Sequence, residues 1–218
     1  MVVALLGVSG CTDASKEKSP DKAMNPEPCK KLLGEDGMAW LKSHTTQEQQ
    51  KMNTSSTTSS ARSLFRKQVL AWKPGDRNNV QLFTDSEMCH AGDPIGTPEK
   101  DLVITYGPST LPFDAKHGPD SEKASVALGP DTKLVYRKSR YAGQRWYNVY
   151  VRCGVPGASA PQLNSVTLEG RMVDTLTDDP NYRPHLQHLL HSAKVMADGF
   201  KCTNNPQIPT TLPSSIKD

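Results

Sequence analysis

Long apolar runs are the first thing this chain lacks. No stretch reaches the roughly 18 apolar residues that a spanning helix requires, which excludes a polytopic membrane protein. Charge of one sign is missing too: 26 Lys and Arg stand against 23 Asp and Glu, a net of +3, too balanced for a nucleic-acid surface. No nucleic-acid partner is therefore expected. Recognisable catalytic signatures are absent as well. There is no Gly-x-Ser-x-Gly, no Ser-x-x-Lys accompanied by its partner motifs, no His-Glu-x-x-His and no phosphate-cradling Gly-rich loop. The five cysteines include no Cys-x-x-Cys pair, the close spacing that structural zinc sites usually use. No cofactor or metal is expected. What is present, 35% hydrophobic and 22% charged residues over 218 positions, suits one globular domain with a tail and excludes a wholly disordered chain.

The N-terminus is the most distinctive segment. Met1 to Cys11 reads Met-Val-Val-Ala-Leu-Leu-Gly-Val-Ser-Gly-Cys, an uncharged apolar run that ends in small residues and a cysteine. It resembles the end of a bacterial lipoprotein signal peptide, with Val8, Ser9 and Gly10 before the cysteine that receives lipid. The resemblance implies that residues 1–10 are the remnant of a signal peptide and that Cys11 is the lipidated N-terminus. It also implies that diacylglycerol and palmitate chains hold the protein at the outer face of the cell membrane. No Lys or Arg precedes the apolar run, so the expected translation start lies upstream of Met1. The alternative is an apolar terminus packed on the domain, with Cys11 a plain thiol. Residues 11–28 hold small, charged and proline residues without apolar period and read as the lipidated cysteine and a flexible tether. Residues 29–218 then form a single extracytoplasmic domain.

With Cys11 assigned to lipid, Cys29, Cys89, Cys153 and Cys202 remain, an even number outside the cytoplasm, where disulfides persist. Four cysteines allow three connectivities. Cys29 with Cys89 and Cys153 with Cys202 is the favoured set, because each pair ties a helix end to a strand within its own half of the chain.

Apolar periodicity supplies the elements. Cys29, Leu32, Leu33, Trp40 and Leu41 predict a first helix beginning near Cys29, with Gly34 and Gly37 as possible breaks. Leu64, Phe65, Val69 and Trp72 predict a second, stopped by Pro74-Gly75. Strands are predicted over 80–84, 102–106, 124–128, 133–137, 145–152 and 165–171. In the clearest of them Tyr147, Val149, Val151 and Cys153 share the core face, while Trp146, Asn148, Tyr150 and Arg152 share the other. Leu186, Leu189, Leu190, Ala193, Ala197 and Phe200 mark one face of a last helix. Helices, then strands, then a helix predict an α+β fold: an antiparallel sheet packed by N-terminal helices and a C-terminal helix, stapled by disulfides.

Two stretches carry a family resemblance. Leu190-His191-Ser192-Ala193 with Ala197, Gly199, Cys202, Asn204-Asn205 and Leu212-Pro213, and Tyr150-Val151-Arg152-Cys153 followed by Val166 to Gly170, resemble a family of uncharacterised actinobacterial secreted lipoproteins. The resemblance implies a lipid-anchored α+β domain and brings no established activity. It is best over residues 120–213.

Candidate chemistry is sparse. His185, His188 and His191 recur every three residues, which carries them around the polar side of the last helix and predicts a solvated face. The one basic and aromatic concentration interleaves Lys133, Arg137, Lys138, Arg140, Arg145 and Arg152 with Tyr136, Tyr141, Trp146 and Tyr150. Strand alternation places Trp146, Tyr150 and Arg152 together as the candidate ligand-binding residues, suited by charge and ring stacking to an anionic envelope polymer or lipid headgroups. The bland alternative is a solvated hairpin. The expected function is a non-enzymatic binding or accessory domain of the cell envelope, partnered by such a polymer or by a membrane protein. The other class is a hydrolase without a recognisable motif.

Overall fold

The computed structural model describes residues 25–73, 83–92, 100–109, 111, 113–114, 122–137 and 144–216. Cys11, the signal-like segment and most of the tether lie outside them, as do Val80, Lys138, Arg140 and Tyr141. The fold is α+β. Seven strands form one antiparallel sheet: β1 (Met52–Asn53), β2 (Ser86–Gly92), β3 (Asp101–Ser109), β4 (Lys123–Ala127), β5 (Thr132–Arg137), β6 (Arg145–Val151) and β7 (Thr167–Asp174). Their order is β1-β2-β3-β7-β6-β5-β4, so the last strand of the chain joins two meanders at the centre of the sheet. Helices α1 (Glu27–Ser43), α2 (Thr58–Ala71) and α4 (Tyr182–Phe200) cover one face, with α4 against β6 and β7 and flanked by the other two. A short α3 (Ala160–Ser165) lies between β6 and β7 in the chain.

Local chemistry explains most boundaries. α1 begins at Glu27, two residues ahead of the expected start, with Pro28 in its first turn, where a missing N–H costs nothing. Gly34 kinks it at φ 69°, ψ −178°, a conformation essentially restricted to glycine, and the His191 ring fills the space a side chain would need. Gly37, the other candidate break, stays helical. In α2 the Ser/Thr-rich run is the helix start itself: Thr57 Oγ1 accepts from Ser60 N, and Ser60 Oγ accepts from Thr57 N. Gln162 of α3 closes the other end, its Nε2 donating to the carbonyls of Val69, Leu70 and Trp72. The apolar stripe of α4 is wholly buried, Leu186, Leu189, Leu190 and Ala193 at 0% exposure.

Two strand expectations need correcting. Phe83 and Thr84 are not in a strand; the strand starts at Ser86 and runs to Gly92. Its residues have little β-propensity, and the strand exists because β1 and β3 pair with it on both sides. Ser165, read as the start of a strand, ends α3, and β7 begins at Thr167. β7 also carries Gly170, whose absent side chain makes room for the Tyr106 ring of β3; a Cβ there would lie 2.4 Å from that ring. Tyr106 crosses the sheet in this way to bond Ser192 of α4, oxygen to oxygen at 2.6 Å.

The disulfides are Cys29–Cys89 and Cys153–Cys202, the favoured connectivity. The first ties α1 to β2, and the second ties the segment after β6 to the end of α4. Around the second, Thr203 N donates to Gly154 O and Gly154 N to Asn204 Oδ1. The last described residues return along α4, with Ile208, Leu212 and Ile216 buried and the Arg183 guanidinium donating to the carbonyls of Leu212, Pro213 and Ile216. Two such bridges point to folding in an oxidising compartment. Among the described residues no helix is long and apolar enough to cross a membrane.

Candidate functional site

Alternation along the strands divides the polar residues between two faces, and the faces differ in chemistry. On the helix-covered face, Asp174 ends β7 buried beneath α4. Its Oδ1 accepts from Leu176 N and Thr177 N, and its Oδ2 accepts from Thr177 Oγ1 and faces His185 Nε2 at 2.6 Å. His185 Nδ1 faces the Asn181 carbonyl at 2.7 Å, and since a carbonyl only accepts, that nitrogen carries a proton. The ring is fully buried and stacked on Tyr147, 4.6 Å between centroids. Burial alone would raise the Asp174 pKa; the hydrogen bond and charge of His185, with the Thr177 donors, outweigh it and hold the carboxyl below its ordinary value. Nearby, Trp40 Nε1 donates to Asp179 Oδ2 at 2.8 Å.

This arrangement corrects the expectation for the histidines. His185 and His188 do not face solvent; they are 0% and 7% exposed, because α1 lies across that side of α4. His188 packs on Trp40 and against Gly37, and burial, with the neighbouring His185, pushes its pKa down to about 4. Only His191 is exposed. Both His185 nitrogens are committed to protein groups, so the His185–Asp174 pair holds structure together and offers no free nitrogen to a ligand. Ser192 is likewise engaged, with Tyr106 and the Leu189 carbonyl. Among the described residues no group of three His, Cys, Asp or Glu side chains is placed to hold a metal ion.

The other face carries the candidate binding residues. Trp146, Asn148 and Tyr150 of β6 point there, opposite Val173, Arg171 and Glu169 of β7; Lys133 and Val135 of β5 stand across from Tyr150 and Asn148. A shallow depression of about 240 Å³ lies over this patch, walled by Trp146, Leu111 and Val135 and by the cations Lys123, Arg137 and Arg171. Trp146 is 38% exposed, with its Nε1 donating to Gln144 Oε1 at 2.9 Å. Among the described residues Glu169 is the one acid in the wall, and Glu122 stands 3.4 Å from Arg137 beside it. Glu169 accepts from Asn148 Nδ2, from Tyr150 Oη at 3.4 Å and from Arg171 at 3.3 Å. Arg171 Nε and the Thr105 hydroxyl, buried on directly opposed residues of β7 and β3, have no hydrogen-bond partner among the described residues.

The three sequence-predicted residues are thus only partly brought together. Trp146 and Tyr150 both border the depression, but Tyr150 is 4% exposed: Phe113 covers it, and the two rings form a small apolar cluster with Val135. Burial, then the Glu169 charge, raise its phenol pKa. Arg152 stands outside the depression, 4.4 Å over the Phe113 ring and 3.5 Å from Asp114. Lys133 lies beneath, donating to the Phe113 carbonyl with its ammonium 5.4 Å from the Phe113 and Tyr150 rings; burial lowers its pKa. Tyr136 and Arg145, counted in the basic and aromatic concentration, belong to the helix-covered face by alternation: Tyr136 stacks on Tyr182, and Arg145 pairs with Asp174 in register. Sequence reasoning missed Arg171, Glu169, Lys123 and Phe113. The first two alternate along a recognised strand, yet only the β6–β7 register makes them neighbours of Trp146.

Compared with protein-family models, with curated proteins and with solved structures, the chain has no match in any of the three.

Proposed function

We propose that this protein is a lipid-anchored component of a bacterial cell envelope, held at the outer face of the membrane through Cys11, and that its exposed sheet face binds an anionic, ring-bearing envelope polymer. The observation that carries the binding reading is the depression beside Trp146. A half-exposed indole stands next to Lys123, Arg137 and Arg171, with one carboxylate among them. An indole face stacks on sugar rings, and guanidinium groups bind phosphate or carboxylate, so one patch can use both features of an acidic glycopolymer. The anchor reading rests on Val8-Ser9-Gly10-Cys11 and on the two disulfides, which suit an exported chain. The likeness to actinobacterial secreted lipoproteins agrees with it.

Sedimentation with isolated, lipid-extracted cell wall tests the binding. The wild type should pellet with the wall, and Trp146→Ala combined with Arg171→Ala should weaken retention by about tenfold or more, as loss of an interface anchor does. Equal retention of the double variant overturns the reading. Metabolic labelling with palmitate tests the anchor separately: the wild type should take up label and Cys11→Ser should not.

A further inference from the structure

A second cleft lies on the other side of the molecule, between α2 and the segment that follows β6. We propose that it binds an amphiphile with an anionic head, a phosphate ester or carboxylate on an apolar body. This site is independent of the sheet face. Arg62 and Arg66, one turn apart on α2, share a side of that helix, and Lys201 faces them from the cap of α4. Val155 and Pro156 form the opposite wall, and the buried Phe65 and Phe200 rings, 5.4 Å apart, make the floor. The void is about 310 Å³, enough for a small ligand.

Charge selects the ligand. Among the described residues three cations border the cleft and no carboxylate does. Two lysines at this end of the helix layer are paired within their own helices: Lys194 bonds Asp198 at 2.6 Å, and Lys30 bonds Glu27 at 2.7 Å. Among the described residues Arg62, Arg66 and Lys201 have no such partner. A bare inorganic anion would satisfy this rim without using the apolar lining of Pro156, Val155, Phe65 and Phe200, whereas a neutral apolar molecule would meet the lining and leave the rim unpaired. An anionic amphiphile does both. The walls are also fixed in advance: Cys153, next to the Gly154-Val155-Pro156 wall, is bonded to Cys202, next to Lys201, and Gln162 holds the end of α2. Little ordering is then left for binding to impose.

Octyl phosphate below its micellar concentration, titrated into the full chain and followed by amide NMR, tests the site. It should move the signals of Phe65, Val155 and Phe200, and it should bind at least about tenfold more tightly than octyl glucoside or inorganic phosphate. Arg62→Gln with Arg66→Gln, both on the helix surface, should weaken it by a similar factor at unchanged melting temperature, while Trp146→Ala should not. Equal binding of octyl glucoside, shifts mapping elsewhere, or an unaffected Arg variant would each overturn the proposal. A vesicle arm distinguishes the source of the ligand. Arginine-dependent sedimentation of the full-length Cys11→Ser chain with phosphatidylglycerol but not phosphatidylcholine vesicles identifies a bilayer lipid headgroup; octyl phosphate binding without vesicle binding identifies a soluble amphiphile.

Discussion

The two faces of the sheet use pairs of an acidic and a basic side chain for opposite ends. Beneath the helices, Asp174 and His185 are buried and bonded on every side available to them. On the other face, Glu169 and Arg171 form a looser set at the edge of solvent, and Arg171 Nε has no acceptor among the described residues. The difference is one of dielectric and geometry. A charge pair out of water is tolerable only when its remaining hydrogen bonds are also made, and the Asp174–His185 pair meets that condition, although Arg145 Nε and Tyr147 Oη on the same face have no hydrogen-bond partner among the described residues. The open face had no such constraint, and its ion pairs, Arg137 with Glu122 and Arg171 with Glu169 and Asp85, are partly exposed.

That contrast can be broken experimentally. Removing the buried acid should have the largest effect: Asp174→Ala strands the His185 ring among apolar neighbours and should cost about 3–5 kcal/mol by denaturant unfolding. A loss near zero would mean that the pair is not closing the covered face. The staples come next, since Cys153→Ala with Cys202→Ala opens a loop of 49 residues. Chain entropy puts that change at about 4 kcal/mol, as a model-dependent figure read from the shift in unfolding midpoint.

A pH series gives the third comparison. His188 is held neutral in the fold, at about 4 against an ordinary 6.5, so the unfolded chain binds the proton first as pH falls. Stability from this residue is therefore complete above about pH 6.5 and declines toward pH 4. The lowered Asp174 adds a further loss below its ordinary 3.8, where the unfolded chain protonates before the folded one. His188→Gln should flatten the first part of the melting-temperature profile and leave the acid limb. An unchanged profile in that variant would exclude His188 as its source. The smallest effect belongs to the open face: Glu169→Gln should change stability by no more than about 1 kcal/mol, the scale of a partly exposed ion pair. A cost equal to that of Asp174→Ala would erase the distinction between the faces.

Reading the sequence went furthest where one physical signal acted alone. The α4 stripe, the alternation of β6 and the two disulfides depend on 3.6-residue period, two-residue period and cysteine parity, and each appears in the structure as expected. β2 was not legible because Ser-Glu-Met-Cys-His-Ala-Gly carries no strand signal of its own and is held by its neighbours. The histidines were misread because a helical wheel gives angles and not neighbours: α1 supplies Trp40 and Gly37, and these turn a polar side into an interior one. In the candidate site, Trp146 and Tyr150 were legible from alternation, but the burial of Tyr150 was not, since Phe113 reaches it from another part of the chain.

Order along the chain thus determined the fold class, the main elements and the expectation of two disulfides, with the observed pairing favoured among three, because local periodicity and the parity of thiols act over short distances or through covalent chemistry. Tertiary structure alone decided which charges stand beside the exposed indole and which neighbours Glu169 and Arg171 meet across the sheet. Those outcomes depend on strand register, which sets residues such as Arg171 and Asn148 opposite one another although more than twenty positions separate them. Alternation says that two side chains share a face; only packing says whether that face meets water.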